Sequence, residues 1–311
     1  MSTVIQLADV TKQFGRTTAL DSVSLEVPSG VVFALLGENG AGKTTAIRLM
    51  LGLTEGTTGE VRVLGLDSRR DGLEIRRRVG YLPERPTLYE WMTAAEIGWF
   101  TAGFYGDGFE HQYRTLIEGF RVPLDRKLSQ LSKGMRAKVA LSLAMAHSPE
   151  LLILDEPTSG LDTMVRREFL ESMVDIAAAG RTVLLSSHQI GEVERVADIV
   201  AIVHAGRLLV VERLDEFKRT TRQLTITVNE STSPLPPIDG QMIYQRRRGR
   251  QWDVLIRGLD EVAVEQLRFA ENILAIESRT PSLEEIFVAY VTGGPQQPAD
   301  VTRNVSVGLF S

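Results

Sequence analysis

The most constraining stretch of this chain is Gly37-Glu38-Asn39-Gly40-Ala41-Gly42-Lys43-Thr44, which matches G-x-x-x-x-G-K-[ST]. An apolar run over 31–36 precedes it and a helical pattern over 44–52 follows, so the motif sits at a strand-to-helix turn. Glycines allow a turn tight enough for backbone N–H groups to converge on phosphate oxygens, and the positive end of the following helix faces the same anion. In that geometry Lys43 reaches the β- and γ-phosphates of a nucleoside triphosphate, the Thr44 hydroxyl ligates Mg²⁺, and the Thr45 N–H points towards the α-phosphate. A glycine-rich turn that meets the pattern by accident is the competing reading, and the flanking strand and helix argue against it.

The remaining strand candidates, 60–64, 79–82, 151–155 and 182–186, are mostly continuous apolar runs. Such runs suit parallel strands buried on both faces. Helical patterns over 93–104, 110–120, 133–146 and 163–179 lie between them, the last starting after a capping Asp162 and stopping at Gly180. Alternating strands and helices predict an α/β domain that binds ligands at the carboxyl ends of its strands. Segments 199–203 and 207–211, joined across Ala205-Gly206, read as a closing hairpin.

Near Thr220 the character changes to an alternating strand, a proline-rich segment over 231–240, two strand candidates at 242–246 and 252–256, and helices at 260–269 and 282–291. The expected division is therefore a nucleotide-binding domain over 1–219, a small α/β accessory domain over 220–292, and a disordered tail over 293–311. The basic run Arg246-Arg247-Arg248-Gly249-Arg250 reads as a solvated hairpin turn.

Strand 151–155 delivers Asp155 and Glu156 to its carboxyl end, followed by Pro157. Beside a phosphate loop, the aspartate is suited to hold Mg²⁺ and the neighbouring carboxylate to activate the attacking water. An apolar strand ending in an acidic turn is common on its own. The pair of motifs together is specific.

With these residues in place the chain resembles the ABC ATPase family over residues 4–213. Leu131-Ser132-Lys133-Gly134-Met135 is similar to the ABC signature, Ser159-Gly160-Leu161-Asp162 to the D-loop, His188 to the switch histidine, and Phe14 to the aromatic residue that stacks on adenine. The resemblance implies a P-loop NTPase fold with a mainly parallel core sheet, an antiparallel β subdomain and a helical subdomain, and here a small C-terminal α/β domain. Ser132 and Gly134 open a predicted helix, where a hydroxyl and N–H groups can bind an anion. Family similarity implies that this second anion site closes over the γ-phosphate held by a second cassette, an identical copy being the simplest partner. It also implies that His188 contacts the γ-phosphate and helps position water for Glu156, and that Asp162 belongs to the dimer contact.

Glu84 stands where many members carry a glutamine that touches Mg²⁺, which makes it a further candidate metal ligand, and Met135 stands where glutamine commonly ends the signature. Both departures, and the segment 281–287, are similar to cassettes that serve ABC-2-type exporters. The expected function is an ATP-hydrolysing, Mg²⁺-dependent subunit that powers export through a separate membrane permease.

Composition bears on the rival readings. Apolar runs fall far short of the roughly 18 to 20 residues that span a bilayer, and the first ten residues carry no secretory pattern. With no cysteine as well, the expected location is the cytoplasm, at the inner face of the membrane through the permease. A net charge of −5 gives no reason to expect a nucleic-acid partner. The alternative is a soluble ABC ATPase that acts as a regulatory or ribosome-associated switch. Such relatives usually carry two cassettes in one chain or a long coiled coil, and this chain has neither. Lys43, Asp155, Glu156 and His188 together argue against a clamp that binds ATP without turnover.

Overall fold

The computed structural model describes residues 2–270 and 272–293. The chain packs as two compact units, the first ending at Leu208 and the second starting at Leu209.

The first unit opens with two long strands, β1 (Thr3–Phe14) and β2 (Thr17–Pro28), followed by β3 (Val32–Leu36), the phosphate loop and α1 (Lys43–Met50). Next come β4 (Thr58–Val63), β5 (Leu66–Asp67), α2 (Gly72–Arg78) and β6 (Val79–Leu82). Three helices follow, α3 (Ala94–Ala102), α4 (Phe109–Gly119) and α5 (Lys133–Met145). The remaining elements are β7 (Leu151–Asp155), α6 (Thr163–Ala178), β8 (Thr182–Ser187), α7 (Ile190–Val196), β9 (Ile199–His204) and β10 (Arg207–Arg213), which carries the chain into the second unit.

The core sheet has the order β10-β9-β3-β8-β7-β6, and β9, β3, β8, β7 and β6 pair in parallel. Every residue of β3, β7 and β8 is buried, as their mostly apolar sequences require of strands covered on both faces. Leu152, Leu154, Phe169, Met173, Val183 and Leu185 form the centre of this core. Each such side chain contributes about 1.5–3 kcal/mol on burial.

A second sheet, β2-β1-β4-β5, is antiparallel. Helices α3, α4 and α5 share a separate core built around Ile97, Tyr113, Ile117, Leu128 and Val139. Gly98 allows α3 to meet α4, because a Cβ there would lie 2.2 Å from the Tyr113 ring. The Tyr113 hydroxyl donates to the Ala94 carbonyl at 2.7 Å, and burial pushes its pKa well up. The expected fold class is therefore present in all three of its layers.

Helix α3 and the loop before it also bear an exposed aromatic surface. Tyr89 packs beside Trp91 with centroids 6.1 Å apart and edge-on to Phe100 at 5.6 Å, and Phe100 in turn meets Phe104 at 5.5 Å.

The second unit contains α8 (Leu214–Thr220), β11 (Thr221–Val228), β12 (Gln241–Arg248), β13 (Gln251–Arg257), α9 (Glu261–Arg268), β14 (Ile273–Arg279) and α10 (Leu283–Thr292). Its antiparallel sheet has the order β12-β13-β11-β14 over a core of Leu224, Ile226, Val254, Ile256 and Val264. The change of sequence character at Thr220 falls where α8 gives way to β11.

Three readings need correction or limits. The arginine run is not a turn: Arg246, Arg247 and Arg248 belong to β12, and only Gly249 and Arg250 turn the chain, with Gly249 at φ +63°. Arg247 pairs with Trp252 across the β12–β13 ladder, with its guanidinium 5.1 Å from that ring centroid. Strands β1, β2, β5 and β14 and helices α2, α7 and α8 also form where no element was expected. Residues 294–311, where a disordered tail was expected, lie outside the described residues.

Candidate active site

The phosphate loop leaves β3 through positions that only glycine fills. A Cβ on Gly37 would lie 2.3 Å from the Val203 carbonyl oxygen. Gly42 has φ +109°, in the left-handed region, and a Cβ there would meet the Ala19 carbonyl oxygen at 2.6 Å. The loop is held by hydrogen bonds from Gly37 N–H to Ser187 O and from Gly206 N–H to Ala41 O. Glu38, Asn39 and Gly40 are exposed at its tip, whereas Ala41 and Gly42 are buried. Helix α1 starts without a side-chain cap and without an acidic residue in its first turn, so its first N–H groups, including that of Thr45, are suited to an anion from outside the chain.

Lys43 is 5% exposed, and its ammonium donates to the carbonyls of Gly37 at 2.6 Å and Glu38 at 3.1 Å. The same nitrogen lies 3.1 Å from Glu156 Oε1. The Thr44 hydroxyl donates to Asp155 Oδ2 at 2.8 Å. Across the other side of Asp155, the buried Ser186 hydroxyl donates to Oδ1. Tyr81, on the strand beside β7, has its phenol pushed up to about 12, first by burial and then by the charge of Asp155.

Glu156 takes φ +49°, a left-handed conformation uncommon outside glycine, immediately after β7 ends. Its N–H donates to both the carbonyl and the hydroxyl of Ser186 at 3.1 Å, which fixes the turn. The side chain is buried, and its Oε2 lies 2.8 Å from His188 Nδ1 and accepts from the His188 N–H at 3.3 Å. The structure thus brings Lys43, Thr44, Asp155, Glu156 and His188 into one connected group at the carboxyl ends of β3, β7 and β8.

Two buried carboxylates beside a single ammonium are an incompletely balanced set, since buried charge is costly unless paired. Thr44 and Asp155 present adjacent hard oxygens, the donor type that Mg²⁺ takes from proteins when phosphate oxygens complete its shell. The residues therefore fit that ion. Among the described residues no cluster of three or more His, Cys, Asp or Glu could hold a metal by itself.

The other predicted residues lie elsewhere. Phe14 ends β1 with 52% of its surface exposed and the Lys12 ammonium 4.7 Å from its ring centroid. Ser132 caps α5, accepting from Met135 N–H at 3.2 Å, and Leu131 is buried beneath it. Gly134 has a packing reason besides any anion role, because a Cβ there would meet Val165 of α6 at 2.9 Å. The Lys133 ammonium rests against Gly160. Asp162 caps α6 through Oδ1, which accepts from the N–H groups of Met164 and Val165.

Glu84 is exposed on the loop after β6, and its carboxylate lies 3.9 Å from Arg85. Glu84, Lys133, Ser159 and Leu161 line one cavity of about 500 Å³. Among the described residues no hydrogen bond joins Glu84, the signature or the segment 159–162 to the phosphate loop. Sequence reasoning missed Ser186, which ties Asp155 to Glu156, and a buried Thr158–Glu192 pair. Paired serines ending an apolar strand were the available signal for the first.

Comparison with known proteins adds the following. A family model described as ABC transporter matches residues 20–159. The bacitracin transport ATP-binding protein BcrA of Bacillus licheniformis is 32% identical over 304 residues, covering 94% of this chain and 99% of the relative. The Nod factor export ATP-binding protein I of Rhizobium meliloti is 36% identical over 215 residues, covering 66% and 63% respectively. A solved structure of the ATP-binding subunit of an ABC transporter superposes with a TM-score of 0.64 at 33% identity, over 70% of this chain and 92% of that one.

Proposed function

The chain belongs to the ATP-binding proteins of ABC transporters, and from that premise we propose that it drives export through a separate membrane permease by hydrolysing ATP between two paired cassettes. The observation that carries the hydrolytic part is the connected group Lys43–Glu156–His188 set against Thr44–Asp155. Each member has a distinct task. Lys43 moves from its loop carbonyls to the β- and γ-phosphates, and the adenine stacks on exposed Phe14. Thr44 and Asp155 would hold Mg²⁺, with Glu84 a further candidate ligand, and an ion there would supply positive charge to offset that developing on the phosphates.

Glu156 accepts a proton from the water that attacks the γ-phosphorus, a step that contributes about 10²–10⁴-fold in comparable sites. Its Oε2 is already engaged by His188 Nδ1, which orients the carboxylate and sets the imidazole beside the expected γ-phosphate position. After attack, Glu156 is neutral and returns its proton to phosphate or solvent.

Ser132 caps α5 and Gly134 lies in its first turn, and among the described residues neither is hydrogen-bonded to the chain's own phosphate loop. This supports the reading that the signature, with Ser159, Gly160, Leu161 and Asp162, serves the nucleotide of a second cassette, in the simplest case an identical copy. No helix among the described residues is long and apolar enough to cross a membrane, and the relatives named as ATP-binding proteins of transporters support the reading that a separate permease carries the cargo. Similarity to a bacitracin transport ATP-binding protein and to a Nod factor export ATP-binding protein supports export as the direction, with this chain working at the inner face of the membrane through its permease.

The test compares ATP turnover by wild type and Glu156→Gln, alone and in membranes that contain a candidate permease. Turnover should fall about 10²-fold or more in the variant while ATP holds two copies together. Wild-type protein that binds ATP and never turns over, even with the permease, would overturn the motor reading in favour of a regulatory clamp.

A further inference from the structure

The β7–β8 ladder ends at the pairing of Asp155 with Ser186, one residue short of Glu156 and two short of His188. The last backbone hydrogen bond between the two strands runs from the Glu156 N–H to the Ser186 carbonyl, and among the described residues none joins the loop 157–161 to α7. Glu156 Oε2 and His188 Nδ1 nevertheless stand 2.8 Å apart, and a side-chain contact ties that loop to α7.

That contact is Glu192. It lies in the first turn of α7, four residues after His188, and is only 6% exposed. Its two carboxylate oxygens are divided between Thr158, on the loop that follows Glu156, and Arg166 of α6. The Thr158 hydroxyl donates to Oε2 at 2.5 Å, and Thr158 itself is 2% exposed. Arg166 Nε lies 3.1 Å from Oε1, close as an ion pair though not aligned as a hydrogen bond. The same guanidinium donates through Nη2 to the Leu161 carbonyl at 3.1 Å. One carboxylate therefore holds the segment 158–161 directly at Thr158 and, through Arg166, at Leu161. A buried carboxylate is expensive to leave unpaired, so the three partners hold one another in a single arrangement.

We propose that Glu192 is a positioning residue for hydrolysis: by tying α7 to the loop after β7 it sets the distance between the Glu156 carboxylate and the His188 imidazole. It touches neither nucleotide nor water and acts only through those two groups. The inference deepens the ATPase reading and rests on it for its kinetic arm, while its spectroscopic arm stands without it.

The chain has four histidines, so the imidazole of His188 can be followed by NMR in protein labelled with ¹⁵N-histidine. Glu192→Gln, Thr158→Val and Thr158→Ser are compared with wild type and with Glu171→Gln, which alters an exposed ion pair with Arg167 elsewhere on α6. Glu192→Gln and Thr158→Val should lower kcat for ATP about 10–100-fold, as expected for a displaced catalytic group, and leave ATP affinity within about threefold of wild type. Both should also shift the His188 resonances. Thr158→Ser, which keeps the hydroxyl, should return kcat to within about twofold of wild type. Glu171→Gln should change neither readout.

If Glu192→Gln does not fold, the Thr158 pair decides the matter. Unchanged His188 resonances in Thr158→Val and Glu192→Gln would overturn the proposal whatever the turnover. A wild type without turnover would instead remove the ATPase reading, and the resonances would still decide whether Glu192 positions His188.

Discussion

At the scale of single residues, the site depends on a serine that performs no chemistry. Ser186 is fully buried, donates to Asp155 and accepts from the Glu156 N–H, so one hydroxyl holds two adjacent carboxylate residues in register. Hydrogen bonds to charged groups contribute about 1.5–3 kcal/mol, and a buried partner left unmet costs a similar amount. Ser186→Ala should therefore destabilise the first unit by about 1–3 kcal/mol in urea unfolding. It should also lower ATP turnover more than ATP binding. Equal effects on both would mean that the hydroxyl only supports the fold. The residues that were legible in the sequence are those whose chemistry requires a fixed spacing along the chain. Lys43 and Thr44 follow a glycine loop, and Asp155 and Glu156 end an apolar strand. Ser186, Thr158 and Glu192 were not legible, because their partners lie 30 to 34 residues away and nothing local marks them as different from ordinary polar residues.

The same distinction holds for whole elements. Strands β3, β7 and β8 are built on short apolar runs that sequence reading finds within a residue or two of their ends. Strands β1 and β2 escape it because their register is interrupted several times, with Asp9 at φ +48° and Ser22 at φ +47°, so burial does not alternate cleanly along either strand. Helix α2 escapes because three of its seven residues are arginines and only Gly72 and Ile75 are buried. Helix α10 shows the opposite case, with both ends of its start marked in the sequence. Ser282 and Glu285 form a reciprocal cap, and Arg279 adds an ion pair to the same glutamate. The Arg279 hydrogen bond, with those from Ser282, holds the Glu285 carboxyl at about 2, below its ordinary 4.5. A carboxyl depressed on folding stabilises the folded form above its ordinary value and loses that contribution as pH falls from about 4.5 towards about 2. Glu285→Gln should therefore be less stable than wild type at neutral pH, and the gap should close over that acid range. Acid titrations followed by circular dichroism would show it, and a gap that persists at pH 2 would assign the cap's strength to something other than ionisation.

For the molecule as a whole, the division into two compact units raises the question of what the second contributes. Its sheet has its own apolar core, and an ion pair between Arg257 and Glu212 sits beside Phe217, with the guanidinium 5.8 Å from that ring centroid. We propose that residues 220–292 form an accessory domain that strengthens cassette pairing. Removal of everything after Arg219 in the Glu156→Gln background should weaken the ATP-held dimer measured by sedimentation, and unchanged dimerisation would refute that role. The exposed aromatic surface on α3 has a further, practical consequence. Of three tryptophans in the chain, Trp91 and Trp99 are 65% and 67% exposed in that region, and the third, Trp252, belongs to the second unit. Indole emission follows the wetness of its surroundings, so the native protein carries a dye-free optical gauge weighted towards one face. A blue shift and loss of iodide quenching would report that face being covered, whatever covers it, in a cuvette and without a label.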